Sequence, residues 1–202
     1  KENIDPNRIF VTGNTIVDAV YRNLKISEKK SRILDRLNIN SKEYFLATLH
    51  REENVDDKKI LWNMLNSFNL IANKYDIPVI YPVHPRTKRN IQNFGFNNKI
   101  SKNVILLDPL GYLDFLKLEE NAKLVLTDSG GVQEETCILK VPCVTLRIST
   151  ERPETVHVGS NIVAGTETKG ILEAVNIMFD KLINWENPFG DGDASGKILK
   201  IL

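Results

Sequence analysis

The sequence predicts an α/β domain built on a doubly wound parallel sheet, and three observations support that fold class. Short apolar runs bounded by turn residues alternate with segments in which apolar residues recur at helical spacing. The runs are apolar on both sides, as expected for strands that helices cover on both faces of a sheet. With 202 residues, 42% hydrophobic and 26% charged, the chain has the composition of a globular domain with a sizeable core.

Five short runs are predicted to form the buried strands of that sheet. Each is mostly apolar or β-branched, and each is followed by polar or turn-forming residues. Four further segments have apolar residues at the three- and four-residue spacing of a helix face. The predicted strands are 44–48, 78–83, 104–107, 123–127 and 142–146, and the predicted helices are 58–75, 87–94, 112–121 and 131–139.

Both ends of the chain are predicted to add further elements. The loop at 187–193 contains Pro, Gly and Asp residues that can stop one element and start a helix. The elements expected before the first sheet strand are a strand at 8–11 and helices at 16–25 and 29–37; those near the other end are a strand at 158–163 and helices at 168–183 and 194–201.

The charge and cysteine content exclude several classes of protein. The 27 basic residues nearly cancel the 26 acidic ones, so a net charge of +1 gives no overall attraction to nucleic acid or to an anionic membrane. An anionic ligand would therefore be held locally. The apolar runs are far shorter than the ~18 residues of a membrane helix. Cys137 and Cys143 lie in apolar sequence, which favours free thiols and a cytoplasmic location over a disulfide framework.

The strongest local signal for a binding site is the sequence TDSGGVQEE at 127–135. Ser129, Gly130 and Gly131 stand at a predicted strand-to-helix turn, where exposed backbone N–H groups and the helix dipole favour a phosphate group. Glu135 lies one helical turn further on, where its carboxylate can accept hydrogen bonds from ribose hydroxyls. Alternatively, Ser129 only caps the helix and the glycines only permit a tight turn.

Histidine and arginine residues after other strands are further candidates for this site. His50 and His84 follow the first two strands, where a histidine can bind phosphate, transfer a proton or form a structural hydrogen bond. Arg147 and Arg152 can neutralise a diphosphate or pair with neighbouring glutamates. The His and Cys spacing does not match a zinc site, and neither the dinucleotide fingerprint nor the P-loop is present, so no metal or cofactor is expected.

Six segments occur along the chain in a specific order: VTGNT at 11–15, TLHREEN at 48–54, YPVHP at 81–85, TDSGGVQEE at 127–135, TERPE at 150–154 and NPFGDG at 187–192. Together they resemble the non-hydrolysing UDP-N-acetylglucosamine 2-epimerases, over nearly the whole chain. The resemblance implies the UDP-binding, Rossmann-like half of a GT-B architecture. Because the chain starts abruptly and without Met, an N-terminal domain is expected upstream of it. Residues 1–186 would form the UDP-binding domain, and 187–202 would pack toward that N-terminal domain.

The resemblance also implies a reaction, the inversion of C2 that interconverts UDP-N-acetylglucosamine and UDP-N-acetylmannosamine. In that reaction the C2 proton is removed and UDP is eliminated, and UDP is then added back with a proton delivered to the other face. The carboxylates that move these protons are expected upstream of Lys1. The alternatives are a hydrolysing epimerase, a GT-B glycosyltransferase, or a chain that by itself is only a UDP-binding module.

Roles for individual residues follow from the same resemblance. A homodimer is expected, without nucleic-acid or membrane partners. The Ser129–Gly130–Gly131 turn would bind the diphosphate, Glu135 the ribose, and Leu110 and Phe115 the uracil; Arg152 would contact UDP, His50 would be catalytic at the diphosphate and sugar, and Arg51, Glu52 and His84 are candidates for a second UDP-N-acetylglucosamine site.

Overall fold

The computed structural model describes residues 4–202 and has one six-stranded sheet in which all neighbouring strands are parallel. Residues 1–3, with which the predicted domain starts, lie outside this part. The strands are β1 (Phe45–Thr48), β2 (Val79–Pro82), β3 (Val104–Leu107), β4 (Leu124–Thr127), β5 (Cys143–Thr145) and β6 (Asn161–Val163), in the spatial order β3-β2-β1-β4-β5-β6. The predicted α/β class and doubly wound parallel sheet are confirmed.

Helices cover both faces of the sheet. Successive strand residues point to opposite faces, so Phe45 and Leu46 belong to two different apolar clusters, each packed against helices on its own side of the sheet. The helices are α1 (Thr15–Lys30), α2 (Ile33–Leu37), α3 (Glu52–Val55), α4 (Lys58–Tyr75), α5 (Pro85–Asn93), α6 (Tyr112–Asn121), α7 (Gly130–Ile138), α8 (Pro153–His157), α9 (Thr168–Phe179) and α10 (Ala194–Ile201).

Strands β1 to β5 and helices α4 to α7 lie within two residues of their predicted positions, whereas the short helices α3 and α8 were not predicted and the strand predicted at 8–11 is wrong. Pro6–Arg8 instead form a single 3-10 turn, which Asp5 caps by accepting from the Asn7 backbone N–H. Val11 is 96% exposed. The β-branched residues there have no neighbouring strand to pair with in the described chain, so their intrinsic preference does not produce a strand.

Three other boundaries differ from prediction because local packing decides them. Helix α1 continues to Lys30, and Ser31, whose hydroxyl donates to Asp114, separates it from α2. Helix α9 ends at Phe179 instead of residue 183, and Leu182 beyond it is exposed. Strand β6 begins at Asn161, after α8 and the positive-φ Gly159. Among the described residues, no helix is long and apolar enough to cross a membrane.

The segments VTGNT and NPFGDG, which lie at opposite ends of the sequence, are in contact. The Asn14 backbone N–H donates to the Phe189 carbonyl at 2.8 Å, and a Cβ on Gly190 would approach the Gly13 Cα to 3.3 Å. The Asp18 carboxylate then accepts from the Ala194 and Ser195 N–H groups and caps α10. Residues 187–195 therefore pack on α1, and the assignment of 187–202 to a segment directed toward another domain stays a prediction.

Candidate functional site

The predicted site residues gather where β1 and β4 end, at the centre of the sheet. The chain order reverses between these two strands, and in open α/β sheets ligands bind at that position, beyond the carboxyl ends of the strands. A cavity of about 240 Å³ opens there. Its lining includes five of the residues predicted from the sequence, namely His50, His84, Leu110, Phe115 and Ser129.

The Ser129–Gly130–Gly131 turn lies at the start of α7, and Ser129 lines the cavity. Ser129 is extended, and its hydroxyl caps no described backbone N–H group, so the capping alternative is not realised. A Cβ on Gly130 or Gly131 would meet no described atom closer than 3.9 Å, and neither glycine has a positive φ. The fold itself therefore does not require glycine here, whereas close approach of a ligand to the backbone would.

His50 is held by Asp128, a residue of the TDSGGVQEE segment that was not among the predicted site residues. The His50 Nδ1 lies 2.8 Å from Asp128 Oδ1, and the Asp128 side chain is completely buried. Asp128 also accepts from the backbone N–H groups of His50 and Arg51 and from the Asn54 amide at 3.1 Å. A buried carboxylate surrounded by donors requires a proton on Nδ1, so Nε2 is left for a ligand.

These contacts shift the pKa values of both His50 and Asp128. The Asp128 hydrogen bond raises the pKa of His50 above its ordinary value of 6.5, although partial burial opposes the shift. Burial opposes ionisation of Asp128 as well, but the hydrogen bonds from His50 and the Arg51 amide outweigh it and lower the pKa of Asp128. The pair therefore favours a charged imidazolium near an anionic ligand.

Arg152 lies beside the same turn. Its guanidinium carbon is 3.9 Å from the position of a Cβ on Gly130, and its Nε is 2.8 Å from Glu134 Oε1 in an ion pair that lacks the alignment of a hydrogen bond. Glu134 is almost fully buried and also accepts from the Asn14 amide at 3.1 Å. The N-terminal VTGNT segment thus helps to hold the arginine at the turn.

A second set of contacts fixes the backbone that carries Arg152. The buried Gln133 side chain accepts from the Thr150 hydroxyl, and the Thr150 oxygen accepts from the Arg152 backbone N–H at 2.9 Å. This chain of hydrogen bonds joins α7 to the TERPE segment. Arg147, the other arginine candidate, is instead paired with Glu151 at 2.6 Å and lies 3.7 Å from Glu53.

Glu135 lies one turn into α7 and is mostly buried. Its Oε1 accepts from the Tyr112 hydroxyl of α6 at 2.8 Å. Burial raises the pKa of Glu135, and the Tyr112 hydrogen bond partly offsets that effect. Sequence reasoning missed Tyr112, because its closeness to Glu135 depends on how α6 packs against α7.

The residues predicted for a second site are only partly brought together. The ring centroids of His84 and His50 are 6.4 Å apart, and the His84 Nδ1 caps α5 by accepting from the Arg86 N–H. Glu52 is exposed and ion-paired with Arg86. Arg51 follows His50, and its Nε is buried without a hydrogen-bond acceptor in the described chain.

Metal ligands are not clustered within residues 4–202, where no group of three or more His, Cys, Asp or Glu side chains could hold an ion. Cys137 and Cys143 are both buried and free. The groups beside the Ser129 turn that can attract an anion are the N-terminus of α7, Arg152 and His50.

A doubly wound parallel sheet with an open helix N-terminus beside the strand-order reversal defines a domain of the Rossmann type, the class of fold in which nucleotides commonly bind at this position. The family model described as UDP-N-acetylglucosamine 2-epimerase matches residues 1–202. This chain belongs to that family, as the six segments indicated.

Individual relatives support the assignment. The UDP-N-acetylglucosamine 2-epimerase of Methanocaldococcus jannaschii is 50% identical over 206 residues, which cover 100% of this chain and 56% of that protein. A crystal structure of the M. jannaschii enzyme in complex with UDP-GlcNAc and UDP has a TM-score of 0.90 at 51% identity, covering 99% of this chain and 56% of the other. The enzyme from Neisseria meningitidis bound to UDP-GlcNAc has a TM-score of 0.84 at 34% identity, covering 99% and 56%.

The chain therefore spans about half the length of the relatives that it matches. The expected fold, one Rossmann-like half of a GT-B architecture, is confirmed.

Proposed function

We propose that this chain is the UDP-binding half of an enzyme that interconverts UDP-N-acetylglucosamine and UDP-N-acetylmannosamine by inverting C2. The observation that carries the proposal is the open Ser129–Gly130–Gly131 turn, which lies between His50 and Arg152 at the centre of the sheet. Family membership and the ligands named for the related structures support UDP as the nucleotide.

The diphosphate would bind at the first turn of α7. The N–H groups there point out of the helix, and the partial positive charge of its N-terminus favours an anion. Arg152 adds a positive charge beside Gly130. Glu134 faces the Arg152 Nε, and Nη1 donates to the Glu151 carbonyl at 3.0 Å, so Nη2 remains for a phosphate oxygen.

His50 would act on the departing diphosphate. Eliminating UDP from the sugar builds negative charge on the phosphate oxygens, and preorganised positive groups lower the free energy of that transition state. Asp128 holds His50 in one orientation and favours its charged form. The same electrostatic attraction would retain UDP until it adds back to the unsaturated sugar. The groups that remove and return the C2 proton would come from outside these 202 residues.

The uridine would occupy the rest of the cavity. Leu110 and Phe115 lie along its wall and are partly buried against the apolar cluster of α2 and α6, which suits contact with the face of a base. Glu135 would accept from the ribose hydroxyls. His84, with Arg51 and Glu52, remains our candidate for a second nucleotide-sugar site, supported by the position of His84 in the cavity wall.

The remaining predictions concern partners and location. The C-terminal residues Ile198, Leu199 and Leu202 expose apolar side chains, which supports the proposal that the end of the chain packs against an N-terminal domain. The two free, buried cysteines support a cytoplasmic location. The homodimer stays a prediction.

Replacing Glu135 by Ala tests the ribose contact. We expect UDP affinity of the 202-residue chain to fall by about 1.5–3 kcal/mol, because a charged hydrogen-bond acceptor is lost, and titration calorimetry measures it. The control is Glu173→Ala, which removes a solvent-exposed carboxylate from α9. An affinity for UDP equal to that of the control would remove Glu135 from the binding site.

A chimera tests the reaction. We expect that residues 1–202, exchanged for the matching part of the M. jannaschii epimerase, convert UDP-N-acetylglucosamine into UDP-N-acetylmannosamine, whereas residues 1–202 alone give no turnover. Proton NMR of the sugar products distinguishes the alternatives. Free N-acetylmannosamine would indicate hydrolysis, and transfer of the sugar to an added acceptor would indicate a glycosyltransferase; either result contradicts the proposal.

A further inference from the structure

A second glutamate lies directly behind the proposed ribose contact. Glu119 of α6 is 0% exposed, and in the described chain no N–H or O–H group donates to either of its carboxyl oxygens. It also forms no salt bridge with a described residue. An ionised carboxylate in such surroundings would be strongly destabilising, so the surroundings favour the neutral acid.

The neighbouring carboxyl group is that of Glu135, which interacts with Glu119. Two carboxyl groups can share a hydrogen bond only when one of them carries a proton. Tyr112, which already donates to Glu135 Oε1, lies seven residues before Glu119 on α6. Residues two turns apart share a helix face, so α6 presents two donors to the same carboxylate of α7.

The charges around the pair place the proton on Glu119. Burial raises the pKa of Glu119 well above its usual range, and the contact with Glu135 raises it further. The other titratable groups nearby are the Tyr112 hydroxyl and the buried Cys143 thiol, which are both neutral, and Glu134, whose charge is paired with that of Arg152. Glu135 is less buried, and its bond from Tyr112 favours its charged form.

We propose that Glu119 is a positioning residue, a neutral carboxylic acid that donates to Glu135 and, together with Tyr112, orients the Glu135 carboxylate toward the ribose hydroxyls of the nucleotide. This inference rests on the proposed function of Glu135. A leucine would fill the same apolar space without burying a polar group, so packing alone does not account for a glutamate at this position.

The test compares two nucleotides, UDP and 2′,3′-dideoxy-UDP, which lacks both ribose hydroxyls. We expect the 202-residue chain to bind UDP about 10-fold more tightly or better, as for a hydrogen bond to a charged acceptor. Glu119→Leu is expected to lower this preference to about threefold or less while leaving the affinity for the dideoxy nucleotide unchanged. Glu119→Gln, whose amide can still donate, is expected to retain the preference.

Each other outcome has a defined meaning. A preference in Glu119→Leu equal to that of the wild-type chain would overturn the inference, and so would an equal loss of affinity for both nucleotides, which indicates only structural damage. If the wild-type chain and Glu135→Ala show the same small preference, the proposed ribose contact itself is wrong.

A measurement on the wild-type chain covers the case in which Glu119→Leu does not fold. Carbon-13 NMR of the glutamate side-chain carboxyl groups, with the Glu119 signal assigned by its loss in Glu119→Gln, reports the protonation state directly. We expect the chemical shift of a neutral acid for Glu119 at pH 7. The shift of an ionised carboxylate would overturn the inference.

Discussion

Replacing Asp128 by Ala is expected to lower the free energy of unfolding by about 3–5 kcal/mol, because removing one partner of a buried ion pair leaves the other groups unsatisfied. Asp128 is completely buried and accepts from His50, from two backbone N–H groups and from the Asn54 amide. These donors would have no acceptor in the variant. Urea unfolding followed by circular dichroism measures the change.

The matched control is Asp108→Ala. Asp108 also follows a sheet strand, but it is exposed and paired only with Lys88 on the surface, where an ion pair contributes little to stability because solvent screens it. If the two variants lost similar stability, the buried network around Asp128 would not be the cause.

The stability difference between wild type and Asp128→Ala is expected to depend on pH. Because the pKa of His50 is raised, its contribution to stability is complete below the unfolded value of 6.5 and is lost as pH rises through the folded pKa. Because the pKa of Asp128 is lowered, its contribution is complete above 3.8 and is lost as pH falls through the folded pKa. The stability difference between wild type and Asp128→Ala is therefore expected to be largest between about pH 4 and 6.5.

Replacing Phe68 by Ala is expected to destabilise the chain by about 3–5 kcal/mol, since the removal of a buried aromatic ring loses its burial and leaves a cavity. Phe68 lies on the inner face of α4, and its ring meets that of Tyr81 of β2 edge to face with centroids 5.7 Å apart. The loss would weaken the contact between α4 and the central strands. Urea unfolding again gives the measurement.

Leu70→Ala is the control for that substitution, because Leu70 lies on the outer face of the same helix and is 40% exposed. We expect it to change stability by less than about 1 kcal/mol. Similar losses for both variants would mean that burial of Phe68 on the packed face of α4 is not the cause of the loss.

Much of the fold follows from local pattern. Runs such as 123–127 are apolar on both sides, and only a strand covered on both faces buries all of those side chains. The amphipathic period of α4 similarly identifies its inner face, which includes Phe68. The strand expected at 8–11 and the last residues of the helix expected at 168–183 failed because their apolar side chains meet no packing partner in the described chain.

Some residues of the candidate site can likewise be predicted from the sequence, and others cannot. The turn at Ser129 and the histidine at position 50 were identifiable because each directly follows a predicted strand, and parallel strands end at one edge of the sheet. Tyr112 and Glu119 were not identifiable. Their contacts with Glu135 depend on the rotation of α6 against α7, which no spacing within either helix specifies.

The α/β class, the candidate binding edge of the sheet and, through six segments, the family are all readable from the amino-acid sequence. Tertiary structure alone decided which polar groups meet: Asp128 under His50, Glu134 beside Arg152, and Glu119 behind Glu135. The physical reason is that the formation of helices and strands depends on residues a few positions apart in the sequence. Buried hydrogen bonds and ion pairs depend instead on distances of a few ångströms between segments that the sequence separates.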